Sequence, residues 1–141
     1  MNNKMKSLFP SEMLESKTTL SLDSIKAKLN YFELQLHELH WQTTSFAEHS
    51  ALGTIYDKVF DLKDEIVEKI MGYTGTRTKA MPVQSIVNYS PGASNMVVRD
   101  LVSFAKQLED YAEQNNMPDI ENIAQSLSGE AAQTLYRLTL S

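Results

Sequence analysis

The chain has 141 residues, 42% hydrophobic and 22% charged, the composition of one globular domain with room for a core. Five glycines and four prolines are too few for a sandwich of many short strands, and no apolar run approaches the roughly 18 residues of a membrane helix. A net charge of −5, from 13 basic and 18 acidic residues, argues against a generally basic nucleic-acid-binding surface, and the lack of cysteine excludes disulfides, thiolate metal sites and cysteine nucleophiles.

Residues 1–20 are polar, lack a hydrophobic period and contain Pro10, so they are expected to form an N-terminal arm ahead of one helical domain at 21–141. MNNKMKSLFPSEM has two lysines but no apolar core, so no secretory signal is expected. With the lack of cysteine, a cytoplasmic location is the expectation.

The first strong period begins at Leu22. Leu22, Ile25, Leu29, Phe32, Leu36 and Leu39 repeat at helical spacing and predict a helix over about 22–43, capped by Ser21 or Asp23. Ser45 and Glu48 have the spacing of a reciprocal capping box. Leu52, Ile55, Val59, Leu62 and Ile66 then carry a second helix over about 46–72, with Gly72 and Gly75 at its exit. So short a joint makes these two helices antiparallel neighbours.

Residues 73–95 hold Gly75, Pro82, Pro91 and Gly92 and form a long crossover, within which Pro82–Tyr89 is expected to make a short helix with proline at its start. Val97, Leu101, Phe104, Leu108 and Tyr111 predict a third helix over about 95–114. Pro118 stops it, Asp119 is the expected cap of a fourth over about 120–138, and Gly129 inside that helix suggests close helix packing. Short first and last links around a long crossover describe an all-α, ferritin-like four-helix bundle.

Asp57, Asp61, Asp64 and Glu68 fall in one narrow sector of the second helix, roughly opposite its apolar stripe. A solvated acidic face is the ordinary reading of such a row, with Lys58, Lys63 and Lys69 near enough to neutralise part of it. His37 and His40 end the first helix and His49 begins the second, so His40 and His49 are expected to converge across the joint. His49 and Asp64 are 15 residues apart on one helix, or ~22 Å, and Glu68 is ~28 Å from His49. The histidines and the carboxylates therefore cannot share a metal within one chain. Two copies packed antiparallel about a two-fold axis can bring them together, which makes two equivalent sites. Leu34, His37 and Phe46 stand three residues before the histidines, so the Glu-x-x-His motif of a site inside the bundle is absent.

His40-Trp41, Phe46, His49 and Asp64-x-x-x-Glu68-Lys69 together resemble the mini-ferritins, the family of DNA-binding proteins from starved cells. Pro82 and Tyr89-Ser90 are similar to that family's short crossover helix. The resemblance implies a homo-oligomeric shell, a dodecamer built from two-fold dimers, that oxidises ferrous iron with peroxide or dioxygen and stores the product. Carried over by position, His40 and His49 are metal ligands from one subunit and Asp64 and Glu68 ligands from its partner; Glu48, Asp57 and His37 are auxiliary candidates. This ligand set suits iron, with zinc as an in vitro alternative. The chain departs from the family pattern in its shorter His40–His49 spacing, in Gly53 where an acidic ligand is expected, in Lys69 where arginine is usual, and in a tail that is not richly basic. The last makes DNA binding weak or absent. Gly53 and the short joint favour the alternative, a shell-forming or partner-binding protein that keeps the fold without the chemistry.

Overall fold

Ser21 opens the first helix with a reciprocal capping box: its hydroxyl accepts from the Ser24 amide at 3.2 Å, and the Ser24 hydroxyl accepts from the Ser21 amide at 2.8 Å. In the computed structural model, which describes residues 19–141, four helices follow: α1 (Leu22–Gln42), α2 (Phe46–Thr74), α3 (Ala93–Gln114) and α4 (Pro118–Leu138). There is no strand among the described residues, and no described helix is long and apolar enough to cross a membrane. Residues 1–18 of the expected arm lie outside the described residues, but Leu20 at its end is buried in the core and so belongs to the helical domain.

The apolar stripes meet in one core. Ile25, Leu29, Leu36 and Leu39 of α1, Leu52, Ile55 and Ile66 of α2, Leu101 and Leu108 of α3, and Ile120 and Leu127 of α4 are fully buried. Each contributes on the order of 1.5–3 kcal/mol through lost apolar hydration. The main touching pairs are α1 with α2, α3 with α4, α2 with α4, and α1 with α3.

Side-chain bonds fix the direction of each helix. Lys79, just after α2, is held at the start of α1: its amide donates to Asp23 at 2.8 Å and its carbonyl accepts from the Lys26 ammonium. At the other end, Tyr89 and Ser94 donate their hydroxyls to Glu48 at the start of α2. The crossover thus runs the length of α1, and α3 begins beside the start of α2, parallel to it. Tyr73 near the end of α2 donates to Asp119 at the start of α4, so α4 returns antiparallel.

The expected crossover helix at Pro82–Tyr89 does not form; residues 75–90 hold no helix. From Asp23 to Gln42, α1 rises ~28 Å, and ten residues from Lys79 to Tyr89 must cover it. Drawn out at ~3.3 Å per residue they reach; coiled into a helix, the eight residues of Pro82–Tyr89 span only ~12 Å. Two α1 glutamines hold the drawn-out chain. The Gln35 amide accepts from the Val87 N–H at 2.7 Å and donates to the Val87 carbonyl at 3.0 Å, and Gln42 accepts from the Tyr89 N–H at 2.6 Å.

Other local expectations also change. Ser45 caps α2, but Glu48 does not return the bond; the Ser45 amide donates instead to the Thr43 hydroxyl at 3.2 Å. Met117, not Asp119, is the N-cap of α4, with Pro118 in the first turn. Gly72 lies inside α2, and Gly75 alone ends it, at a left-handed φ of 71° that glycine adopts without strain. Gly129 is exposed and a β-carbon there meets nothing, so close packing does not explain it.

Candidate metal centre at the helix hairpin

The three-residue joint brings the end of α1 against the start of α2. His40 and His49 stack with ring centroids 3.8 Å apart and planes 18° from parallel. Each ring then reaches the other's backbone: His40 Nδ1 lies 2.7 Å from the His49 carbonyl, and His49 Nδ1 lies 2.8 Å from the His40 carbonyl. A carbonyl only accepts, so both bonds require Nδ1–H. In the neutral rings this leaves both Nε2 atoms as lone-pair donors, the tautomer that a second partner imposes on metal-binding histidines.

Gly53 makes room for this pair. A β-carbon there would stand 2.9 Å from Cε1 and 3.2 Å from Nδ1 of His40. An acidic residue at 53 is therefore incompatible with the His40 position seen here. Glycine in mid-helix costs about 1 kcal/mol against alanine, and the imidazole occupies the space that glycine leaves.

His37 lies between two aromatic rings, Trp41 at 3.7 Å and Tyr56 at 4.0 Å, and its ring centroid is 5.9 Å from that of His40. Burial foremost, and then the neighbouring His40, lower the His37 pKa from 6.5, against the opposing pull of Glu33 and Glu38. The folded chain therefore takes up this proton less readily than the unfolded chain. Stability is expected to fall as pH drops below about 6.5, where the unfolded histidine charges first. Urea unfolding midpoints at pH 7 and pH 5, compared for wild type and His37→Gln, should show a smaller acid loss in the variant.

Glu48, an auxiliary ligand on the sequence reading, is occupied elsewhere. Glu48 is 8% exposed, and its carboxylate accepts from the hydroxyls of Thr43 at 2.8 Å, Tyr89 at 3.0 Å and Ser94. It ties the hairpin joint to the end of the crossover and the start of α3. No local spacing announces this: Tyr89 and Ser94 lie 41 and 46 residues further along the chain. Nor does any spacing announce Tyr56, because its contact with His37 crosses between helices.

The acidic row is exposed along α2 at Asp57, Asp61, Asp64 and Glu68. Two of its expected neutralisers turn away. Lys63 pairs with Glu33 and Asn30 of α1, and Lys69 with Glu65 and Asp119. None of the four carboxylates has an ion pair among the described residues. Within one chain, His40 and His49 meet each other while Asp64 and Glu68 lie further down α2. Among the described residues no group of three or more histidine, cysteine, aspartate or glutamate side chains is placed to hold a metal ion.

A helical hairpin presenting paired imidazoles at one end and free carboxylates along its second helix is thus set on an all-α four-helix chain. Residues 40–138 match the family described as "Family of unknown function (DUF5856)", and the chain belongs to that family. The match begins at His40 and includes His49, Gly53, Asp64 and Glu68. No curated protein matches the chain. No solved structure matches it either.

Proposed function

We propose that this chain is a mini-ferritin-like protein: a homo-oligomeric shell, built on two-fold dimers, that binds ferrous iron between copies, oxidises it and stores the product. The carrying observation is the reciprocal Nδ1–carbonyl pairing of His40 and His49, which leaves both Nε2 atoms available as ligands. Iron is the substrate. His40 and His49 of one copy would hold it together with Asp64 and Glu68 of the partner subunit, and Asp57, about two turns before Asp64 on the same face, adds negative charge to that row. The two carboxylates attract a ferric ion more strongly than a ferrous one, so this set favours the oxidised state. With peroxide as oxidant, two ferrous ions give up one electron each; peroxide takes both electrons with two protons and leaves as two waters.

The surface around the histidines supports a partner of the same kind. Trp41 and Phe46 are 64% and 82% exposed, and Leu34 and Phe60 extend the apolar character along the same two helices. Trp41 packs on His37 and Phe46 near His49, so these exposed rings flank the histidines, and exposed aromatics of this kind mark protein interfaces. The test is peroxide-dependent ferrous oxidation together with bound iron and solution mass. Wild type should oxidise iron as an oligomer, and Asp64→Ala/Glu68→Ala should lose the activity while keeping its helicity. Unchanged activity in that variant would remove the carboxylates from the site.

One observation favours a second reading, an assembling protein without the chemistry: His40 fills the space at Gly53 where the resembled family places an acidic ligand. An oligomer that neither binds nor oxidises iron would establish it.

A further inference from the structure

The crossover carries an edge that the iron-binding reading does not use. Met81, Val83, Ile86 and Val87 are between 38% and 57% exposed on a drawn-out segment. No residue from Ala80 to Val98 is charged, in a chain of net charge −5. Main-chain groups of residues 80–86 form no hydrogen bond among the described residues.

The bonds that do form set the phase of this segment. Lys79, Val87 and Tyr89 turn main-chain groups toward α1, where Asp23, Lys26, Gln35 and Gln42 meet them. All three are odd-numbered. In a drawn-out chain successive residues point their N–H and C=O groups to opposite edges, so Gln84 and Ile86 present theirs away from α1. An uncovered edge rich in valine and isoleucine that carries no charge of its own is a template for strand pairing; Lys28 and Asp100 lie on the bundle side, beside Gln84.

We infer that this edge pairs with the same edge of a second copy, antiparallel about a two-fold axis at Ser85. Gln84 of each chain then exchanges main-chain bonds with Ile86 of the other. Val83 falls opposite Val87 of the second copy, which buries the exposed valines in cross-strand pairs. Pro82, which lacks an N–H, ends the ladder. The occupant is a second copy because the edge is uncharged and its register is self-complementary: any other register sets Val83 or Val87 against a polar residue or displaces Gln84 from Ile86. Gln35 and Gln42 face the crossover whereas Glu33, His37 and His40 face α2, so this edge flanks α1 on the side away from the histidine pair.

The chain has no cysteine, so one introduced thiol reports this contact alone. Opposite residues in a non-hydrogen-bonded antiparallel pair have Cα atoms ~4.5 Å apart, within disulfide range. Ser85→Cys should form a disulfide-linked dimer under mild oxidation at least about tenfold faster than Ser126→Cys on the exposed side of α4, because pairing raises the local thiol concentration. Adding Val83→Asp and Val87→Asp should abolish the advantage while circular dichroism stays helical. Both experiments run in chelator, so the result does not depend on iron. Equal rates for Ser85→Cys and Ser126→Cys overturn the pairing, as does a Ser85→Cys advantage that survives the two aspartates. Loss of iron oxidation in other variants leaves it untouched.

Discussion

His49→Asn is expected to lose ferrous oxidation by on the order of 10–100-fold while the hairpin stays folded. The asparagine amide can take the place of Nδ1–H and still donate to the His40 carbonyl, but it has nothing at the Nε2 position. His49→Ala deletes both groups, so it should lose the activity and also destabilise the hairpin by about 1–2 kcal/mol, through the lost bond and the lost stack on His40. The pair separates ligand from staple. If both variants keep the wild-type oxidation rate, the imidazoles serve only to hold α1 against α2. Urea unfolding followed by circular dichroism gives the stability arm, and stopped-flow absorbance of ferric product gives the activity arm.

Glu48→Ala should be the most damaging single change at the joint, costing about 3 kcal/mol. Three hydroxyls donate to one buried carboxylate, and hydrogen bonds to a charged group contribute roughly 1.5–3 kcal/mol each, less than additively in one cluster. For a chain of this size the midpoint of thermal unfolding should fall by roughly 10 °C. The loss has a local signature. The bond to Glu48 is the main cause that raises the Tyr89 phenol above its ordinary pKa of 10.0. In Glu48→Ala that phenol should titrate closer to the ordinary value, read by ultraviolet difference absorbance. Hydrogen exchange at the Val87 and Tyr89 amides should accelerate, because the end of the crossover then keeps only its bonds to Gln35 and Gln42. A variant as stable as wild type, with Val87 and Tyr89 still protected, would show that the crossover is anchored elsewhere.

The helices were legible because burial leaves a period in the sequence. Ile25, Leu29, Leu36, Leu39, Leu101 and Leu108 recur at helical spacing and are buried as that spacing requires. The convergence of His40 and His49 followed from a joint too short to part them. What the sequence hid was set by tertiary partners. Pro82–Tyr89 has a helix-start pattern, but the distance along α1 and the two glutamine clamps draw it out. Glu48 has capping-box spacing, yet three hydroxyls from elsewhere hold it more strongly than the Ser45 amide would. Gly53 looked like a vacancy in a ligand set; it is the space in which the His40 ring lies. Lys63 and Lys69 sit beside the acidic row in sequence but bond to α1 and α4, and none of its four carboxylates has an ion pair among the described residues.

The proposed site takes its imidazoles from one copy and its carboxylates from another. Co-expressing His40→Ala/His49→Ala with Asp64→Ala/Glu68→Ala in equal amounts tests it most directly. Each parent alone should fail to oxidise ferrous iron. In the mixture, half the dimers are mixed, and each mixed dimer holds one intact site of two, so about a quarter of the wild-type rate should return. A mixture no faster than its parents, beside an active wild type, would contradict a site shared between copies.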